Sequence, residues 1–289
     1  MADSGNDVYS PRKAWVKTRS LSFLKYLSLL AAVVVVLVPL IVVFLGSFKE
    51  NKEFLSSHVF ALPATLAWGN YVTAFIDGKV MLGLVNTMFI LTVSCIGTII
   101  TGTMTAFVLQ RFKSGFTRLI KSLFLLATLL PNISMQVTVY QIVNKLGLVD
   151  TYAAPIILYI GTDIISIYIF IQFLNNISIS LDESAIMDGA SYLRIYTRII
   201  MPLLQPAIAT VLIIKMVGIY NDFYTAHLYM PSQNLAVVST ALYRFMGPFG
   251  AKWEIIFAGI VICIIPSLII FLTLQKYIYN GLVKGAVKE

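Results

Sequence analysis

Glu183-Ser184-Ala185, then Gly189, then Ile199-Ile200-Met201-Pro202 form a polar, glycine-broken stretch between two strongly apolar segments. Ser180-Leu181-Asp182-Glu183 fits a capping box, a serine at the cap and a glutamate three residues on. The spacing predicts a short helix that ends near Asp188, where Gly189 can take a backbone conformation other residues avoid. A second helix is expected from Ser191, with Leu193, Tyr196 and Ile200 on one face. Arg194 and Arg198 sit four apart on another face, suited to lipid headgroups. Pro202 stands at the head of the next apolar segment, where proline is tolerated. Such a hairpin reads as a docking element for a soluble partner. It reads equally as two helices lying on a membrane, with Glu183 a capping residue.

Outward from this stretch the chain is apolar. Of its 289 residues 58% are hydrophobic and 12% charged, and the mean hydropathy is +0.87. A soluble domain carries about 25% charged residues, so the composition defines an all-α integral membrane protein. Six segments reach the roughly 20 apolar residues a bilayer requires, at about 27–47, 86–108, 122–143, 154–174, 203–223 and 255–275. That reading leaves residues 1–26 as a cytoplasmic segment and 27–289 as a transmembrane domain. Its inside loop is 175–202, its outer loop 222–254 and its cytoplasmic tail 276–289. With the N-terminus inside, fourteen Lys/Arg fall in inside stretches and six outside, which places both termini in the cytoplasm. The net charge of +8 follows from this bias and from anionic lipid at the inner face, not from nucleic acid.

The first span is too long, and too poor in small residues at its end, for a cleaved signal peptide, and reads as a retained anchor. Trp68, Tyr71 and Phe75 in the outer segment after it can anchor at the interface. Pro39, Pro131, Pro206 and Pro266 fall within spans and are expected to kink them. Cys95 and Cys263 are far apart in apolar runs, without a Cys-x-x-Cys pattern or His neighbours, and read as packing or lipid-facing residues.

Asp163 and Lys215 stand near the centres of spans four and five, at almost the same depth for about 1.5 Å rise per residue. An unpaired charge there costs at least about 3 kcal/mol. The two residues are therefore expected to pair with each other or to face a wet cavity, where either could touch cargo.

Glu-x-Ala, three residues, Gly, nine residues, Ile-x-x-Pro resembles the cytoplasmic Glu-Ala-Ala loop of ABC importer permeases. Ser184 replaces the middle alanine and Met201 the usual leucine. Tyr220-Asn221-Asp222-Phe223 and the tail from Gln275-Lys276-Tyr277 through Gly281-Leu282 to Lys284-Gly285 are similar to signatures of the carbohydrate branch. The chain most resembles the shorter, maltose-G-type member of a two-permease pair. That resemblance implies six transmembrane helices in the type I, MetI-like importer architecture, in a bacterial cytoplasmic (inner) membrane. It implies that Asp182, Glu183, Ser184, Ala185, Asp188, Gly189, Ile199 and Pro202 form the loop that docks on an ATP-binding subunit. Glu183 would meet a basic residue there, Ala185 would pack closely and Gly189 would permit the turn. Gly281, Lys284 and Gly285 would reach the same ATP-binding dimer.

The implied partners are two copies of the ATP-binding subunit, a second homologous permease and an extracytoplasmic sugar-binding protein. The implied cargo is a carbohydrate, an oligosaccharide, either neutral or, if Lys215 lines the cavity, an acidic uronate. ATP and magnesium would belong to the partner, with no cofactor bound by this chain and no catalysis on it. Tyr168, Tyr220, Asn221, Asp222 and Tyr224 are candidates for the sugar path, because sugars favour aromatic faces with polar neighbours. Tyrosines at a membrane edge also serve as interface anchors. The outer loop 222–254 resembles the loop that contacts the binding protein.

Other classes fit less well. A phosphate-binding Gly-x4-Gly-Lys-Ser/Thr loop is absent from the sequence, so the energy would come from a partner. An intramembrane protease lacks its paired aspartates, Ser/His pair or His-Glu-x-x-His. A channel lacks a visible re-entrant filter. An ion-coupled secondary transporter using Asp163 and Lys215 remains the alternative, and it would move cargo without an ATP-binding partner.

Overall fold

A backbone in lipid must satisfy its own hydrogen bonds, which leaves helices as the solution for long apolar runs. The computed structural model describes residues 11–161, 163–247 and 250–286, with side chains described except at 11–24, 132, 270, 274 and 276–286. Helix α1 (Pro11–Ser47) is followed by short α2 (Asn51–Ser56) and α3 (Gly69–Ile76), then by α4 (Val80–Arg111). Next come α5 (Gly115–Thr128), α6 (Asn132–Lys145), α7 (Ala153–Gly161) and α8 (Ile164–Leu174). The inside loop holds α9 (Ser180–Met187), α10 (Tyr192–Ile195), a π turn at Tyr196–Ile200 and α11 (Met201–Leu203), leading into α12 (Gln205–Asn221). The outer loop holds α13 (Tyr224–Tyr229), α14 (Val238–Ala241), a 3-10 turn at Leu242–Phe245 and a pair of two-residue strands, β1 (Met246–Gly247) and β2 (Gly250–Ala251). Helix α15 (Trp253–Ala286) ends the described chain.

Among the described residues four helical stretches are long and apolar enough to cross a bilayer: Lys25–Ser47, Val80–Arg111, Ala153–Leu174 and Trp253–Thr273. Two bent pairs raise the number to six if each is one span: Gly115–Thr128 with Ile133–Lys145, bent by 110°, and Tyr192–Leu203 with Gln205–Asn221, bent by 71°. The expected unbroken third span is thus two helices. Pro131 precedes α6 in an extended conformation (φ −63°, ψ 120°), and its missing N–H prevents the helix from running through. The second bend falls at Leu204, and Pro206 follows in the first turn of α12, where its missing N–H is one the helix leaves unpaired anyway. Around Pro39 and Pro266 the helices stay continuous.

Helix α4 organises the bundle, packing on α7, α8 and α12, while α12 also packs on α15 and α15 on α1 and α3. Small residues let these helices approach, as is usual where lipid supplies no hydrophobic drive between them. A Cβ added at Gly97 would lie 2.3 Å from Ile160 Cδ1, and one at Gly102 would lie 3.0 Å from the Phe170 ring. Toward the inside loop the core is built by Phe107 of α4, Phe170 and Leu174 of α8, and Ile195, Ile200 and Leu204, all buried. On the opposite side the outer loop is tied to α4. Asn86 Nδ2 donates to the carbonyls of Asn234 (3.2 Å) and Ala236 (2.9 Å), and Thr87 Oγ1 accepts from the Val238 N–H at 3.0 Å. Of the expected interface aromatics, Trp68 and Phe75 are exposed, while the Tyr71 hydroxyl is hydrogen-bonded to Ser47 Oγ at 2.7 Å.

Candidate functional site

The expected capping box at Ser180 does not form. The N-cap of α9 is Ile179, without a side-chain cap. The Ser180 hydroxyl is paired instead with Ser178 Oγ at 2.7 Å. Backbone closes the first turn: the N–H groups of Asp182 and Glu183 donate to the Ile179 carbonyl at 2.9 and 3.1 Å. Glu183 is left exposed. The other end is a Schellman closure, with the Gly189 N–H on the Ile186 carbonyl and the Ala190 N–H on the Ala185 carbonyl, both at 2.9 Å. Gly189 has φ +79°, a left-handed conformation that costs other residues about 1–2 kcal/mol. Gly189→Ala should lower the stability of this turn by that amount, read as faster amide exchange at Gly189's neighbours with the bundle unaffected.

Helix α9 has two chemically distinct faces. Asp182 and Ala185 are buried, whereas Glu183, Ser184, Ile186, Met187 and Asp188 are exposed, Met187 by 87%. Ala185 therefore packs into the chain's own core, not outward. The next helix starts as expected, with Ser191 Oγ capping it by accepting from the Arg194 N–H at 3.4 Å. Tyr196 and Ile200 are buried, but Leu193 is 68% exposed and Ile195 takes the buried position expected of it. The π turn inserts an extra residue ahead of Pro202, which has no N–H to give and would otherwise crowd the carbonyl four residues back. Ile199 packs against the core and Pro202 is exposed.

Two ion pairs are present among the described residues. At the inside loop, Arg111 Nε lies 2.6 Å from Asp182 Oδ2, both side chains being less than a tenth exposed. Arg111 Nη2 donates to the Ile177 carbonyl at 3.2 Å. Burial pushes the Asp182 carboxyl above its usual range, and the Arg111 guanidinium partly opposes this.

The second pair lies within the spans. Lys215 Nζ sits 3.0 Å from Asp163 Oδ2 and donates to the Tyr159 carbonyl at 2.6 Å. Asp163 is the N-cap of α8, accepting from the Ser166 N–H at 3.2 Å and from Ser166 Oγ at 2.5 Å. Span four is therefore broken between α7 and α8. The break leaves carbonyls of α7 and N–H groups of α8 without helical partners. Lys215 serves the first and Asp163 the second. Beyond the break, Tyr159 OH donates to Asp222 Oδ2 at 2.9 Å, and Asp222 Oδ1 accepts from the Thr225 N–H at 2.9 Å. Sequence reasoning did not anticipate this break, although Gly161 followed by Asp163-x-x-Ser166 carries an N-cap signal.

The sugar-path candidates do not converge on one cavity. Tyr168 OH donates to the Lys121 carbonyl at 2.9 Å, bracing α8 on α5. Tyr220 is buried, and its hydroxyl donates to the Cys263 carbonyl at 2.7 Å, joining α12 to α15. Tyr220 and Asn221 line a cleft with Ser239, Leu242, Cys263 and Ser267. Asp222 instead lines a water-sized space with Thr87 and Tyr159, and Tyr224 is exposed outside both. Missed by sequence reasoning is a second outer cleft bordered by His227, Gln233, Tyr243 and Arg244. The His227 ring at its border stacks on Phe223, with centroids 5.0 Å apart. Gly281, Lys284 and Gly285 fall on the last turns of α15, and their side chains lie outside the described residues. Among the described residues no group of three His, Cys, Asp or Glu could hold a metal.

The described helices form a multi-pass helical bundle that presents a two-faced helix between two of its spans. The chain belongs to the family described as "Binding-protein-dependent transport system inner membrane component", which it matches over residues 94–284. It is similar to the melibiose/raffinose/stachyose import permease protein MelC of Bacillus subtilis, at 29% identity over 92% of this chain and 97% of that one. It is similar also to the trehalose/maltose transport system permease protein MalG of Thermococcus litoralis, at 30% identity over 88% of this chain and 92% of that one. In fold it resembles a chain of a bacterial ABC transporter involved in the import of the acidic polysaccharide alginate. The TM-score is 0.78 at 20% identity, covering 94% of this chain and 99% of that one. The protein is thus a multi-pass inner-membrane transport component, not itself catalytic, and its family implies ATPase and binding-protein partners.

Proposed function

We propose that this chain imports an oligosaccharide, delivered by an extracytoplasmic binding protein, through a path formed with a second homologous permease. Two copies of an ATP-binding subunit power the cycle from the cytoplasmic side, where both termini lie. The observation that carries this reading is α9: it is anchored by Asp182 and Ala185 on one face and offers Glu183, Ile186 and Met187 on the other. A helix so divided is built to be held by the bundle and gripped from outside it. Closure of the ATP-binding dimer moves the gripped face, the spans reorient, and the cavity changes the side to which it opens.

The sugar assignment is supported by relatives named for melibiose, raffinose and stachyose, for trehalose and maltose, and for galactooligosaccharides. A neutral cargo is favoured over a uronate because the Lys215 ammonium is already committed to Asp163 and the Tyr159 carbonyl. That commitment leaves no free cation beside it among the described residues to select an acid, and it supports a structural role for the pair over ion coupling. The test is uptake into vesicles holding the complete transporter with its binding protein. Labelled neutral oligosaccharide should accumulate only with ATP inside the ATP-binding side, and an equal concentration of a uronate oligosaccharide should not compete. Uptake that persists without ATP, or that a uronate blocks, would overturn it.

A further inference from the structure

The docking reading explains the exposed face of α9 but not how its movement reaches the spans. Ala185 packs in the core, and the residues between α8 and α9 are a short non-helical segment. The last two residues of α4 hold that segment at its start and middle and reach past it to α9. Gln110 Nε2 donates to Asn175 Oδ1 at its start. Arg111 reaches the Ile177 carbonyl in its middle and the Asp182 carboxylate beyond it. Lys121 Nζ, from α5, donates to Gln110 Oε1 at 3.1 Å and brings the third span to the same junction.

The ion pair in this junction is poorly suited to adding stability. Both side chains are desolvated, and Asp182 Oδ1 is buried without a hydrogen-bond partner. A buried pair with unsatisfied atoms gains little over apolar residues of similar volume. Arg111 Nε likewise makes no hydrogen bond, so what the pair does supply is a short ionic link between one helix end and one helix face. We propose that Arg111 and Asp182 are positioning residues, a strut that makes α4 follow α9 when the docked loop moves. Asp182 lies next to the residue expected to meet the ATP-binding subunit, yet it faces the other way, so one turn of helix is held by the partner and by span two at once. Since α4 packs on α7, α8 and α12, a displacement passed to its end is felt by three other helices.

This inference rests on the docking reading, and the test separates them. The complete transporter is reconstituted with its binding protein, and the oligosaccharide taken up per ATP hydrolysed is measured. Asp182→Asn should lower that ratio about tenfold in complexes that still contain the ATP-binding subunits. The reversed pair, Arg111→Asp with Asp182→Arg, should recover a substantial part of it. A merely structural role would reduce the yield of complex and leave the ratio per complex unchanged, and that result would overturn the strut. Should Asp182→Asn fail to assemble, Arg111→Lys keeps the charge and loses the fork that also holds Ile177. An unchanged ratio in that variant has the same meaning. Failure of the docking reading would be seen elsewhere, as no cross-link from Met187→Cys to an ATP-binding subunit.

Discussion

Lys215→Met is expected to destabilise the folded chain by about 3–5 kcal/mol, the usual cost of breaking a buried ion pair from one side. The variant strands the Asp163 carboxylate among spans four and five and leaves the Tyr159 carbonyl without its donor. An unpaired charge at this depth in a span is costly. Asp163→Asn alone strands the ammonium instead, although asparagine can still cap α8. Both changes together remove both charges, so the double variant should be less damaging than the sum of the singles by about 1–3 kcal/mol. Reversible unfolding in mild detergent measures all three. Strict additivity would mean that the two charges do not depend on each other.

The largest functional effect is expected at Glu183. It is the acidic residue on the exposed face of α9, beside Ile186 and Met187. Glu183→Lys places a cation where the partner is expected to present one. Losing a well-desolvated charge contact of this kind costs about 2–5 kcal/mol, so transport should fall by about a hundredfold or more, and the ATP-binding subunit should be lost on purification. The chain itself should keep its stability to within about 0.5 kcal/mol, since the Glu183 side chain is exposed. Transport at the original level with the partner retained would move the docking surface elsewhere.

The span pattern was legible because the apolar runs are long and the charges between them few. Its interruptions were only partly so. Pro131 and Pro206 marked the two bends, yet Pro39 and Pro266 have the same local chemistry and their helices run on. Whether a proline breaks a span depends on neighbours that a single sequence does not display. The break at Asp163 was hidden inside a segment of suitable length and hydropathy, and Lys215 beside the freed carbonyl together with Asp163 at the start of α8 makes it tolerable. Within the inside loop, Gly189 and Ser191 were readable because their roles are local. The Ser180 cap was misread because Ser178 competes for the same hydroxyl. The burial of Asp182 could not be read at all, since its partner Arg111 is far away in the chain. Tyr168 and Tyr220 looked suited to cargo by residue type, and the fold commits both hydroxyls to backbone carbonyls.

The central claim, that this permease is driven by partners gripping α9, is tested most directly by gentle extraction of the native complex and mass identification of its components. The account predicts one copy of this chain with one homologous permease and two copies of an ATP-binding subunit, the latter missing when the chain carries Glu183→Lys. A lone chain, or a homodimer without an ATPase, would contradict it.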